Sequence, residues 1–361
     1  MNTHLIAYIN WDLIVAWKVL SLSISKDKEL IPFGYGSRQP IFISKAEPGN
    51  VIWVFSIPKP TAEKNITAHN YRPTLVAKLT IGSNRIKFSE VESYSNKVEI
   101  IKLMDLWCNV VISDPNKSCF FPMNDATNLF YKLKIKRKKQ KQGVEVDKPI
   151  LDSDEDEKDE KDVVKTKSIR MKIGKNLRFM REIVNDQENI DMIEEYAEKS
   201  KKNSVFISYS YSGNRDYALA LADKLLSLGY GTWIDSLAIP KQKGVDKIPE
   251  ERLFKLLNYG IWNCNLFIAL ISEGYLFGKQ NNQSNVDLAM KNKEIDLNSW
   301  TMKEYLTARE EKKINNSLFM VQVAKQELQN HLEFDKWIKM NNDETLSEQI
   351  DKSFRSFNSI S

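Results

Sequence analysis

The C-terminal part of the chain is predicted to be α/β, a doubly wound parallel sheet, and the part before it mostly β. Three observations carry this. Short apolar runs at 204–210, 231–234, 266–271 and 317–323 alternate with stretches of helical period. Val205, Phe206 and Ile207 form an unbroken row of β-branched and aromatic residues, which suits a strand covered on both faces better than an alternating edge strand. Before residue 132, short runs rich in Trp, Ile, Val and Phe are separated by turns such as Glu47-Pro48-Gly49-Asn50.

In the N-terminal part the apolar runs are 5–9, 14–22, 41–43, 51–55 and 75–81. Asp12 and Lys18 interrupt the stretch 5–24, and no basic region or cleavage pattern surrounds it. It is therefore read as strands of a cytoplasmic domain and not as a signal or membrane anchor. The passage PGNVIWVFSIPKP followed by RPTLVAKLTI is similar in part to PUA-like or EVE-type small barrels, whose relatives hold a base or nucleotide in an aromatic cleft. On that resemblance Trp11, Trp17, Trp53, Tyr71 and Trp107 would line a cleft for nucleic acid or a nucleotide. The preferred reading of each is nevertheless that it fills the core of the barrel, since aromatic side chains dominate burial.

Between the two parts lie a basic run, KLKIKRKKQK, and an acidic one, DSDEDEKDEKD. Blocks of like charge bury no apolar surface, so 133–165 is expected to be a solvated linker. The basic run is also able to grip phosphates at low salt, although the acidic block neutralises it within the same chain. Residues 169–199 mix apolar and charged positions and predict two short helices. The expected division is a β sensor domain at 1–132, the linker at 133–165, a helical connector at 166–200 and the α/β domain at 201–361.

In that last domain the first strand breaks into Ser212, Gly213 and Asn214, which supply a turn and a helix cap. Tyr217, Leu221, Ala222, Leu225 and Leu228 then recur at helical spacing as far as Gly229, a C′ glycine. The second strand ends at Asp235, and a loop through Pro240, Gly244 and Pro249 leads to a helix at 250–262. A helix at 300–312 precedes the fourth strand.

Composition narrows the function. The 361 residues allow two domains, each with its own core, and the net charge of +5 comes from clustered lysines. Cys108, Cys119 and Cys264 have neither paired nor metal-ligand spacing, which favours a reducing compartment and no metal. Gly-x-Gly-x-x-Gly and the Walker lysine loop are absent, so ordinary dinucleotide redox and ATP hydrolysis have no phosphate cradle. The strand ends Tyr209-Ser210 and Ser272 also lack the acidic residues that a phosphoacceptor domain of this topology needs.

The segments VFISYS, GTWIDS, LFIALIS and SWTMKEYLTA, in this order, together resemble a TIR domain, and specifically its NAD-hydrolysing branch. The resemblance implies a flavodoxin-like sheet, NAD+ as substrate with no further cofactor, self-association into a homo-oligomer, and a role like that of bacterial antiviral proteins that deplete NAD. It implies that Glu304 is the catalytic glutamate and Trp300 the aromatic residue beside it; four residues apart on a helix, the two share a face. Nicotinamide leaves a cationic nitrogen as a neutral base, so no general acid is required. One carboxylate near the ribose complements the oxocarbenium-like transition state. Ser210 and Tyr211 fall where relatives place groups near the substrate phosphates; Phe206 and Asp235 sit in the strand framework and are read either as substrate-binding or as structural. Lys241, Gly244 and Lys247 lie on the loop through which relatives assemble. The alternatives are a TIR module that only docks partners and a nucleic-acid reader acting through its N-terminal domain.

Overall fold

The computed structural model describes residues 2–9, 14, 17–18, 31–35, 45, 47–57, 72–82, 86–87, 109–138, 145–149, 180–184, 186–210, 214–234, 250–277, 295–315, 318–324, 328, 332–339 and 346–358. They fall into two compact units, Met1–Lys199 with Ile239–Leu256 and Ser200–Ala238 with Leu257–Ser361.

The first unit is mostly β. Its strands are β1 (His4–Tyr8), β2 (Ile31–Tyr35), β3 (Val51–Ser56), β4 (Thr74–Thr80), β5 (Ile86–Lys87), β6 (Asn109–Ser113), β7 (Cys119–Phe120), β8 (Lys134–Lys138), β9 (Glu145–Pro149) and β10 (Arg181–Glu182). The main sheet has the order β10-β1-β3-β4-β7, with β1 and β3 parallel; β2-β6-β5 and β8-β9 form two smaller sheets. These described strands do not amount to a closed barrel. Helices α1 (Thr127–Lys132) and α2 (Gln187–Lys202) add Leu129, Phe130, Ile193 and Ala197 to a core built on Trp53, Phe55 and Ile6.

Trp17 and Trp53 are fully buried and fill core, the reading preferred for them from sequence; Trp11, Tyr71 and Trp107 lie outside the described residues. Three other expectations for this unit change. Ile14, Trp17 and Lys18 take helical and not strand backbone. Part of the lysine-rich run expected to be linker forms β8, because Ile135 is buried in the core and Lys136 donates to Glu182 Oε1 at 2.6 Å. The acidic block lies outside the described residues. Of the two helices expected in 169–199, the described portion holds one, α2, preceded by β10, which pairs antiparallel with β1.

In the second unit the strands β11 (Ser204–Tyr209), β12 (Gly231–Ile234), β13 (Leu266–Ile271), β14 (Phe319–Ala324) and β15 (Lys336–Lys339) are all parallel, in the order β12-β11-β13-β14-β15. Between them run α3 (Arg215–Ser227), α4 (Glu250–Trp262, of which residues 257–262 belong to this unit), α5 (Glu273–Phe277) and α6 (Trp300–Asn315), and α7 (Leu346–Asn358) follows β15. This is the flavodoxin-like doubly wound order. Sequence patterning places β11 to β14, α3, α4 and α6, and misses α5, β15 and α7.

Alternation along the strands divides the helices between two faces. Val205, Ile207, Leu266, Ile268 and Val321 join the apolar core under α3 and α7. On the other face Phe206 stacks on Phe267, with ring centroids 5.6 Å apart, and α4 comes so close that a Cβ on Gly260 would lie 3.2 Å from Phe206 and Trp233 ring atoms. Helix α3 carries Asp216 in its first turn and Lys224 in its last, both favourable to its dipole. It ends as expected at Gly229, whose φ is +88°. Tyr230 N donates to Leu225 O and Gly229 N to Leu226 O, both at 3.0 Å, the paired bonds of a Schellman motif.

Candidate active site

The polar face of β11 leads to the site. Ser208 is the residue of this buried strand whose side chain meets Glu304: its Oγ donates to Glu304 Oε2 at 2.6 Å and lies 2.9 Å from the Tyr275 hydroxyl. Ser208, Tyr275 and Glu304 are all buried, Glu304 at 7 % exposure. They gather near the C-terminal edge of the sheet, where open α/β sheets bind ligands.

Local structure fixes each partner. Helix α5 begins straight after β13, with Ser272 O accepting from Tyr275 N at 3.0 Å and Leu276 N at 3.1 Å, and this tight turn sends Tyr275 inward. Ser299 caps α6: its Oγ accepts from Met302 N at 3.3 Å and donates to Asp296 O at 2.9 Å. In the first turn Thr301 Oγ1 donates to Tyr275 O at 2.9 Å, which ties α6 to α5. Trp300 therefore opens the helix, and Glu304 stands one turn further along it.

Burial, reinforced by the nearby Glu304 charge and opposed by the Ser208 hydrogen bond, pushes the Tyr275 phenol well above its ordinary range. It stays protonated and available as a donor. Trp300 is half-buried, and Lys303 Nζ lies 5.9 Å from its ring centroid. Ser210 is buried, and its carbonyl accepts from Asn214 N at 3.4 Å. Phe206, two residues before Ser208, has its ring in the packing with Phe267 and α4. Tyr211, Asp235, Lys241, Gly244 and Lys247 lie outside the described residues.

Ser208 and Tyr275 are the site residues that sequence reasoning passed over. A serine inside an otherwise apolar buried strand was the available signal for the first; the short helix hiding the second has no periodicity to read. A separate groove of about 370 Å³ runs beside the C-terminal half of α6, but ion pairs from Arg309 to Glu333 and from Lys312 to Asp335 occupy its charges. Among the described residues no cluster of His, Cys, Asp or Glu could hold a metal, and no helix is long and apolar enough to cross a membrane.

A five-stranded parallel sheet in this order, with helices on both faces and a carboxylate held near its C-terminal edge, defines a flavodoxin-like α/β domain. Residues 205–353 match the family model described as TIR domain, and this part of the chain is a TIR domain. None of the curated proteins matches the chain.

Proposed function

We propose that the TIR domain cleaves NAD+ between nicotinamide and ribose. The N–C1′ bond breaks, nicotinamide leaves as a neutral base, and water adds at C1′ with loss of a proton to give ADP-ribose; capture of C1′ from within the molecule gives a cyclic product instead. The observation that supports this reading is Glu304, a carboxylate held at the ligand-binding edge of the sheet by a serine of the first strand. A fixed negative charge in a buried setting complements a cationic ribose far better than one in water.

In the same reading Trp300 orients the base and ribose, Ser210, Tyr211 and Asp235 frame the substrate, and Phe206 supports their strand from within the packing. The loop bearing Lys241, Gly244 and Lys247 brings a second copy against the open edge. The mostly β first unit senses a nucleotide or nucleic-acid ligand, and the chain serves antiviral defence in the cytoplasm. Nicotinamide release by the purified full chain, with and without a clustering agent, tests the core of this. Turnover that rises on clustering and disappears in Glu304→Gln is the expected result.

One observation favours a second reading, a TIR module that docks partners without catalysis. Glu304 is 7 % exposed, and one of its oxygens already accepts from Ser208. Absence of nicotinamide release under every clustering condition would select that reading.

A further inference from the structure

The Ser208 hydroxyl touches two oxygens and has one hydrogen to give. It donates that hydrogen to Glu304 Oε2 at 2.6 Å, so the 2.9 Å contact with Tyr275 must be filled from the other side, by the phenol donating to Ser208 Oγ. The direction of the whole chain is thereby set: Tyr275 to Ser208 to the Glu304 carboxylate. Its three members come from three elements, β11, α5 and α6. The Thr301–Tyr275 bond closes the loop between the two helices at 2.9 Å.

We propose that Ser208 and Tyr275 are positioning residues for Glu304, a serial hydrogen-bond chain that holds the carboxylate oxygen Oε2 on the sheet side and thereby fixes the orientation of Oε1. This rests on the reading of Glu304 as the working carboxylate and adds how it is oriented. Tyr275 acts only through Ser208, and neither residue meets the substrate. A serine donor to a carboxylate is a charge-assisted bond, and donation into the serine from a second hydroxyl strengthens it. Burial keeps the phenol protonated, so the chain keeps its direction across the physiological range.

Serial action has a signature that a merely structural role lacks. Ser208→Ala removes the bond to the carboxylate, whereas Tyr275→Phe removes one oxygen and leaves the ring. If the chain is serial, Tyr275→Phe has an effect in the parent and none in the Ser208→Ala background. The experiment uses the full chain and two independent readouts. The first is the carboxylate stretch of Glu304 in the infrared, assigned by difference against Glu304→Gln. It should shift in Ser208→Ala, shift less and in the same direction in Tyr275→Phe, and shift no further in the double variant. The second is turnover of NAD+, where kcat should fall about tenfold to a hundredfold in Ser208→Ala and about threefold in Tyr275→Phe, with KM nearly constant. Ser208→Thr, which keeps the hydroxyl, should restore both readouts and covers the case in which Ser208→Ala folds poorly.

An unmoved carboxylate band in Tyr275→Phe, or equal effects of that substitution with and without Ser208, would overturn the chain. The infrared pattern as expected in a protein that releases no nicotinamide would uphold the chain and overturn NAD+ cleavage.

Discussion

In the second unit a carboxylate, Glu304, is buried beneath the sheet edge with a hydroxyl donating to it and a phenol behind that hydroxyl. In the first unit an amine, Lys18, is buried with its Nζ 3.2 Å from the Phe121 carbonyl and 5.5 Å from the Phe120 ring centroid. Both groups lie in low dielectric, yet their surroundings act differently. Around Glu304 a hydroxyl donates to one carboxylate oxygen and a phenol stands behind that hydroxyl. Around Lys18 burial dominates and pushes the ammonium down to about 7, so the lysine is close to giving up its charge at neutral pH. The carbonyl that accepts from Lys18 does not offset its desolvation, so this lysine marks a cost to stability, whereas Glu304 ends a chain of two hydroxyls drawn from other elements of the sheet edge.

The largest expected effect falls on the carboxylate. Glu304→Gln keeps the volume and removes the charge, so nicotinamide release should fall about a hundredfold or more. The unfolding midpoint should stay near that of the parent, because the amide can still accept from Ser208. Loss of turnover accompanied by a large fall in the midpoint would mean that Glu304 is chiefly structural, and the contrast with Lys18 would collapse.

Lys18 should show itself in stability and not in turnover. Its pKa is lower in the folded chain than in the unfolded one, so between about pH 7 and 10.4 the unfolded state binds the extra proton. Stability of the first unit should therefore rise with pH from about 7, by at most about 1.4 kcal/mol per unit. Denaturant unfolding from pH 7 to 9.5 measures this slope, and Lys18→Met should abolish it. The second unit should respond in the opposite sense and at higher pH. Burial raises the Tyr217 phenol to about 12, so its proton is held by the folded state and stability falls above pH 10. A flat first transition in the parent protein would show that Lys18 is not desolvated as its surroundings imply.

Trp300 separates site from scaffold more gently. It opens α6 half-buried, so Trp300→Ala should cost well under the about 3–5 kcal/mol typical of a fully buried tryptophan. The effect should appear in KM for NAD+ or in the ratio of linear to cyclic product. A full-sized stability loss with unchanged kinetics would return Trp300 to the core.

What could be read beforehand follows from how local each signal is. β11, β12 and β13 are unbroken apolar runs bounded by polar residues, and Gly229 sits where a helix of clear period stops, so each is encoded within a few neighbouring residues. Glu304 and Trp300 were legible through a motif on one helix. Ser208 and Tyr275 were not joined to them, because strand, short helix and long helix meet only in the folded sheet. The first unit depends still more on distant pairing. β1 is parallel to β3 and antiparallel to β10, and the two residues of β10 carry no period at all. β8 was obscured by its composition: one buried isoleucine among lysines decides its fate, and the charge run around Ile135 hid it.

The smallest effect calibrates the others at a position that touches neither buried group. Gly229 adopts φ +88°, and a Cβ placed there would meet nothing within 4 Å. Gly229→Ala therefore introduces no clash and deletes no contact; it asks an L-residue to hold left-handed backbone, at about 1–2 kcal/mol. Part of that cost is offset because alanine also restricts the unfolded chain. The net loss should be about 1 kcal/mol in the transition of the second unit, with the pH slope of the first unit and the kinetics per folded molecule both unchanged. Asn, which tolerates this region better, should lose less than Ala. A larger loss, or one accompanied by a fall in kcat, would mean that the paired bonds to Leu225 and Leu226 carry strain into β12. The sheet edge holding Glu304 would then be less independent of the helix ends than its own hydrogen-bond chain implies.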